Sequence, residues 1–299
     1  MAQRRKRKTV KFGLRYCNTG RYAEDTGLAV ELVQAGEAAG FESAWTVEHT
    51  VVPSGYKSEY PYSADGKMAD GVEDLPLPDP LIWMSFMAGC TSTIKLATGV
   101  LIVPQHNPVL AAKQIATLDS MSGGRVLLGI GVGWLKEEFD AIGVAFEDRG
   151  RRTDEYVAAM RELWTADRPT FHGEFVDFDA AYCRPQPAQG SVPIIVGGDT
   201  RVAARRAGRL GDGYFPAREA PAELIQLART TAVEHGRDPE AIEITTSMPD
   251  DHSKLPALAA IGVSRVVVPV GTVGGLRSTI ASPEEVTQWA AIVEEYADL

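Results

Sequence analysis

Cysteine is scarce in this chain, with three in 299 residues. Cys17, Cys90 and Cys183 stand far apart and odd in number, with no CxxC pair and no histidine at zinc-ligand spacing. A disulfide framework and a structural zinc site are excluded, and the three read as reduced thiols of a cytoplasmic protein. Long apolar runs are missing too. None approaches the roughly 20 residues of a membrane helix, and Lys8 to Leu14, after the basic start, has the pattern of a strand rather than of a signal-peptide core. Membrane association is not expected. No GxGxxG follows the first candidate strand, where Arg15, Tyr16, Cys17 and Asn18 stand instead, and neither a Walker A loop nor a GxSxG elbow occurs. The usual dinucleotide fingerprint, the P-loop and the hydrolase nucleophile are therefore absent.

What the chain does have is ample apolar material. At 44% apolar and 23% charged, it can bury a core without covalent staples. The formal charge is −10, yet six of the first eleven residues are basic (Arg4, Arg5, Lys6, Arg7, Lys8 and Lys11). Setting those six aside leaves 24 cations against 40 carboxylates, a body of −16. Such a body repels phosphate backbones, so nucleic acid is not an expected partner. Residues 1–9 read as a disordered basic arm, a solvated terminus rather than a targeting or lipid-binding segment.

Short β-branched runs alternate with helix-period stretches along the whole length, without a composition break. Eight runs read as strands buried on both faces: Val10 to Leu14, Ser43 to Val47, Leu96 to Val103, Val126 to Gly131, Pro193 to Val196, Gly213 to Phe215, Ile242 to Ser247 and Ser264 to Pro269. Amphipathic helices are expected between them, at Gly27 to Ala39, Pro80 to Cys90, Pro108 to Met121, Arg151 to Thr165, Arg201 to Arg209, Ala222 to His235, Lys254 to Ala260 and Pro283 to Ala297. Asn107 before Pro108 and Ser282 before Pro283 read as caps, and Gly40 and Gly236 as stop residues. Eight strand–helix units predict an α/β fold, a (β/α)8 TIM barrel forming one domain over residues 10–299. A doubly wound open sheet is the alternative. Two long connections, about 50–79 and 134–192, would leave from the C-terminal ends of strands two and four, where barrel active sites sit. Within the second, Pro169 to Phe178 alternates like a small hairpin.

Glu48 and His49 follow strand two and would stand together at the barrel mouth, where an imidazole near neutrality can exchange a proton. A plain strand cap is the competing reading. Thr98 and Gly99 interrupt an apolar strand, and Gly129, Gly131 and Gly133 thin another, as a bulge, crowded packing or a close-lying planar ligand would each require. Val192 to Phe215 runs a buried strand into Gly197, Gly198, Asp199 and Thr200 at a helix start. That is either an anion site of backbone N–H groups and the Thr200 hydroxyl, or a tight turn capped by Asp199. His106, His172, His235 and His252 read as ordinary surface or loop residues. Glu137 and Glu138 read as acids favouring a helix dipole, although they could reach a pocket.

Four blocks together resemble the luciferase-like monooxygenase superfamily, and most closely its actinobacterial coenzyme F420-dependent branch: Gly40 to His49, Leu96 to Trp134, Arg149 to Trp164 and Val196 to Phe215. The resemblance covers about two hundred residues in order. It implies a TIM barrel with insertions, usually a homodimer, holding F420 or FMN at the mouth and acting on a small-molecule substrate. It places the phosphate on Gly197 and Gly198 near Asp199 and Thr200, and a strand-three bulge, often a cis peptide, at Gly99 and Val100, with Thr98, Gly99 and Val100 against the cofactor. It sets Gly131 and Gly133 beside the ring, and Glu48 and His49 at the deazaflavin head assisting proton transfer. Arg15 and Trp134 would face the substrate. Glu48 replaces a commoner Asp, and Gly129 stands where several FMN-dependent relatives carry Asn, which favours the deazaflavin. Sugar-phosphate dehydrogenase members have an acid at the position of Trp134 and a tryptophan at that of Pro53, so this chain departs from them. The implied reaction is hydride transfer with F420. The alternatives are monooxygenation with reduced FMN and oxygen, and a barrel that binds a ligand without turnover.

Overall fold

The computed structural model describes residues 10–216, 221–271 and 279–296. The basic arm, residues 1–9, therefore lies outside the described residues. The described residues form eleven strands: β1 (Lys11–Arg15), β2 (Ser43–Thr46), β3 (Lys95–Thr98), β4 (Leu101–Ile102), β5 (Val126–Gly131), β6 (Phe171–His172), β7 (Asp177–Phe178), β8 (Ile194–Gly197), β9 (Gly213–Phe215), β10 (Glu243–Ser247) and β11 (Val263–Pro269). All but β6 and β7 are parallel and close on themselves in the cycle β1, β2, β3/β4, β5, β8, β9, β10, β11, with β11 pairing β1. That is the eight-stranded TIM barrel. The open-sheet alternative is excluded by this closure.

Strand three departs from a continuous Leu96 to Val103. β3 and β4 both pair with β5, and between them the Gly99–Val100 peptide is cis; Val103–Gln105 is a 3-10 turn. The last helix also differs from the expected single element. It divides into Pro283–Gln288 and Ala290–Tyr296 at Trp289, whose ring turns in against Phe41 with centroids 6.2 Å apart. Ala297 lies outside the described residues. β6 and β7 form the small antiparallel hairpin foreseen in the second insertion.

Side-chain alternation divides the barrel strands into an outer and an inner set. The outward residues, such as Phe12, Leu14, Ala44, Leu96, Leu128 and Val266, join the main core under the helices. The inward ones, Trp45, Ala97, Leu127, Ile195, Phe215 and Val267, form a separate apolar layer across the barrel. Below that layer the N-terminal end is closed by Arg265, whose side chain has no exposed surface. It donates to Glu42 at 2.9 and 3.0 Å, to Glu243 at 2.9 Å and to Thr245 at 3.1 Å.

Helix starts follow from their caps. Asn107 accepts from the N–H groups of Val109 and Leu110, and Asp79 from that of Ile82, ahead of first-turn prolines. Among the described residues no helix is long and apolar enough to cross a membrane, and no group of three His, Cys, Asp or Glu could hold a metal ion.

Candidate active site at the barrel mouth

Consecutive side chains leaving β2 diverge, so Glu48 and His49 do not stand together as expected. Glu48 is buried and turns toward strand three, accepting from the Ile102 N–H at one oxygen and meeting His106 Nε2 at 2.7 Å with the other. His49 turns toward the second insertion, its Nδ1 3.0 Å from Glu138 Oε2. His106 is thus no ordinary loop residue, and Glu138 does more than favour a helix dipole. Burial of the His106 ring works against its charge. The Glu48 hydrogen bond and the charges of Glu48, Asp79 and Glu138 outweigh it and raise the pKa above the usual 6.5.

Glu138 is fully buried, and its other oxygen accepts from the Thr50 N–H at 2.5 Å and the Val51 N–H at 3.3 Å. One carboxylate therefore holds both the imidazole and the chain that leaves it. The signal in the sequence is positional: Glu138 lies three residues after Leu135 and directly before Phe139, both buried, so it falls on the apolar stripe of helix Lys136–Ala141.

The glycines build a shelf. Val100, just after the cis peptide, sits between β5 and β8: a Cβ on Gly131 would lie 2.5 Å from Val100 Cγ2, and one on Gly197 would lie 2.6 Å from Val100 Cγ1. Gly99, Val100, Gly131, Gly133, Gly197 and Gly198 are half-buried at the mouth. Thr98 is not part of that surface. It is fully buried and its hydroxyl donates to the Gly129 carbonyl at 2.7 Å. Gly129 gives no opening for a side chain either, because a Cβ there would come within 1.9 Å of the Thr98 carbonyl oxygen.

Aromatic side chains of the first insertion wall the site. Trp134 meets His49 edge-on at 5.8 Å, Tyr56 at 5.5 Å and Tyr60 at 5.1 Å between ring centroids, and Tyr60 meets Tyr62 at 5.4 Å. A cavity of about 610 Å³ opens beside His49 between the arms 50–54 and 73–77. Glu137 ties the insertion down, accepting from the Lys57 and Ser58 N–H groups at 2.7 and 3.2 Å and from the Ser58 hydroxyl at 2.6 Å. At the base of the mouth Arg15 is buried, donates to Ser247 at 2.8 Å and lies 4.9 Å from the centre of the Phe215 ring.

The loop after β8 differs in detail from both readings of it. The Gly198 N–H is spent on the Phe215 carbonyl at 3.1 Å. Thr200, not Asp199, caps helix Arg201–Leu210, its hydroxyl oxygen accepting from the Ala203 N–H at 3.1 Å. The amides of Arg201 and Val202 begin the helix without intrahelical acceptors, and the Thr200 hydroxyl can still donate.

A family model described as luciferase-like monooxygenase matches residues 14–249. The chain belongs to that family. Among luciferase-like relatives, an uncharacterized protein of Mycobacterium tuberculosis is 32% identical over 255 residues, 82% of this chain and 88% of that protein. An FMNH2-dependent dimethylsulfone monooxygenase of Pseudomonas fluorescens is 34% identical over 189 residues, 62% of this chain and 46% of that one. The coenzyme F420-dependent tetrahydromethanopterin reductase of Methanopyrus kandleri shares the fold, with a TM-score of 0.73 at 17% identity over 97% of this chain and 99% of that one. The luciferase-like family is one of oxidoreductases and monooxygenases, and its relatives use either F420 or a flavin. The mouth described above fits such a cofactor: Gly99, Val100, Gly131 and Gly197 leave a half-buried surface free of large polar side chains, and the amides of a helix start follow β8.

Proposed function

We propose that this luciferase-like barrel is a coenzyme F420-dependent oxidoreductase that moves a hydride between the cofactor and a small organic substrate. The observation that carries this reading is His49, an imidazole at the mouth whose ring is held by a buried carboxylate and faces a cavity. When bound, F420 supplies a two-electron hydride carrier. The chain's own residues supply the rest. Gly99, Val100, Gly131 and Gly197 form the apolar surface for the ring, with Gly133 beside them. The amides beginning helix Arg201–Leu210, with the Thr200 hydroxyl, take the phosphate; Gly198, its own N–H spent on Phe215, and Asp199 border that site. His49 gives or takes the accompanying proton, Trp134 and the tyrosines keep water out, and Arg15 meets the substrate from below. Glu48 serves at one remove, holding strand three through Ile102 and His106.

The second reading is FMN-dependent monooxygenation, favoured by the similarity to the dimethylsulfone enzyme. Parallel fluorescence titrations with F420 and FMN separate the two. F420 binding supports the proposal, binding of FMN alone overturns its cofactor, and binding of neither leaves a non-catalytic barrel.

A homodimer is part of the proposal. Ile82 and Phe86 on helix Pro80–Cys90 and Leu110 on the adjoining helix Pro108–Ser122 are 73%, 50% and 64% exposed. Analytical ultracentrifugation that finds a monomer would overturn it.

A further inference from the structure

We infer that Glu138 is a positioning residue that sets the tautomer of His49, with Nδ1 protonated and Nε2 the nitrogen presented to the mouth. The inference rests on the reading of His49 as the proton-handling group. Its own ground is geometric. Glu138 exposes no surface, and Oε1 already accepts from the Thr50 and Val51 N–H groups. Those two donors fix the direction of the carboxylate, so Oε2 meets Nδ1 at 3.0 Å as an acceptor. With Oε2 as the acceptor, the hydrogen in that bond is on the ring. Trp134 stands edge-on to the imidazole at an interplanar angle of 82°.

Among the described residues Glu138 is the acid paired with the ring, while Glu73 and Asp74 line the same cavity without an ion pair to it. Glu48 is engaged by His106 and the Ile102 N–H. Glu137, beside Glu138 in sequence, is engaged by Lys57 and Ser58. Glu73, which lines the cavity with His49, is engaged by Ser54 and the Gly55 N–H. The ring nitrogen that Glu138 leaves over is the one available to a bound group. This is the orienting role that a buried acid plays behind a catalytic histidine, in which the acid chooses the tautomer without taking the proton.

Glu138→Gln tests it. The two backbone donors require the amide oxygen to face them, so the amide NH2 must face Nδ1, which can only accept. The proton then moves to Nε2. Imidazole ¹⁵N spectra of the cofactor-free protein read this directly, with His49 assigned among the five histidines by its loss in His49→Gln. The expected result is a pyridine-type Nε2 in the parent that becomes pyrrole-type in Glu138→Gln, with the melting temperature and F420 affinity retained. A pyrrole-type Nε2 in the parent, or an unchanged tautomer in the variant, overturns the inference. Should Glu138→Gln fail to fold, the parent spectrum alone decides. Failure to bind F420 or FMN would defeat the proposed function and leave the tautomer result standing, so the two failures are distinguishable.

Discussion

The Ser58 hydroxyl donates to the Glu137 carboxylate at 2.6 Å, and through that contact the two insertions of the barrel are joined. Ser58 also accepts from the Lys136 N–H at 3.0 Å, so the tie runs both ways. The Ser58 hydroxyl and the amides of Lys57 and Ser58 hold the Glu137 carboxyl down at about 2. Glu137→Ala should loosen the first insertion, with amide exchange at Lys57 and Ser58 rising about five- to tenfold and the global melting transition hardly moving. Hydrogen-exchange mass spectrometry checks this. Because the folded value is depressed, the contribution is present above the ordinary 4.5 and is lost as pH falls toward about 2.

The Glu48–His106 pair predicts an opposite pH dependence. Raised above 6.5, the folded His106 contributes stability in full below that value, and the contribution disappears as pH rises through the higher folded value. Melting temperatures of the parent and His106→Gln, followed from acidic to alkaline pH, should differ most on the acidic side. A constant difference would show that the ring acts without its charge.

A single methyl at position 129 should be poorly tolerated. The atom it would strike is the Thr98 carbonyl oxygen, which belongs to the backbone and cannot swing aside. Gly129→Ala should cost at least the roughly 1–3 kcal/mol of ordinary overpacking, whereas Thr98→Val, which removes the hydroxyl bond to the Gly129 carbonyl, should cost about 1 kcal/mol. Urea unfolding of the two variants gives the comparison.

At the closed end, Glu42→Gln should destabilise by about 2 kcal/mol, less than the 3–5 kcal/mol of a fully abandoned buried charge, because Glu243 still faces Arg265. Burial pushes the Glu42 carboxyl up; the Arg265 charge and hydrogen bonds, helped by Lys95, overcome this and bring it to about 2. The parent should therefore lose stability as pH falls from 4.5 toward that value, and Glu42→Gln should show a flatter acid limb in thermal melts.

The strands and helices were legible because a strand buried on both faces must be apolar throughout, and because Asn107 and Ser282 mark helix starts by their own chemistry. The residues around His49 were legible only in part. Its partner Glu138 is 89 positions away, and the partner of Glu48, His106, is 58 away. Local pattern carries no trace of such pairings. Divergence of the adjacent Glu48 and His49 was likewise hidden, since it depends on where β3 and helix Lys136–Ala141 come to rest. Thr98 was expected against the cofactor, and its burial with the hydroxyl on the Gly129 carbonyl, 31 positions away, leaves no trace in local pattern either.

The seat of Val100 between Gly131 and Gly197 has one more consequence. Three strands contribute to a single filled volume there, so none of the three positions is free to change alone. Alanine at 131 or 197 calls for a smaller residue at 100, and removal of the valine side chain opens space that either glycine could then occupy with a methyl. Any change to the shape of this mouth has to proceed by paired exchanges. A double-mutant cycle on Val100→Ala and Gly131→Ala would show that coupling as a departure from additivity.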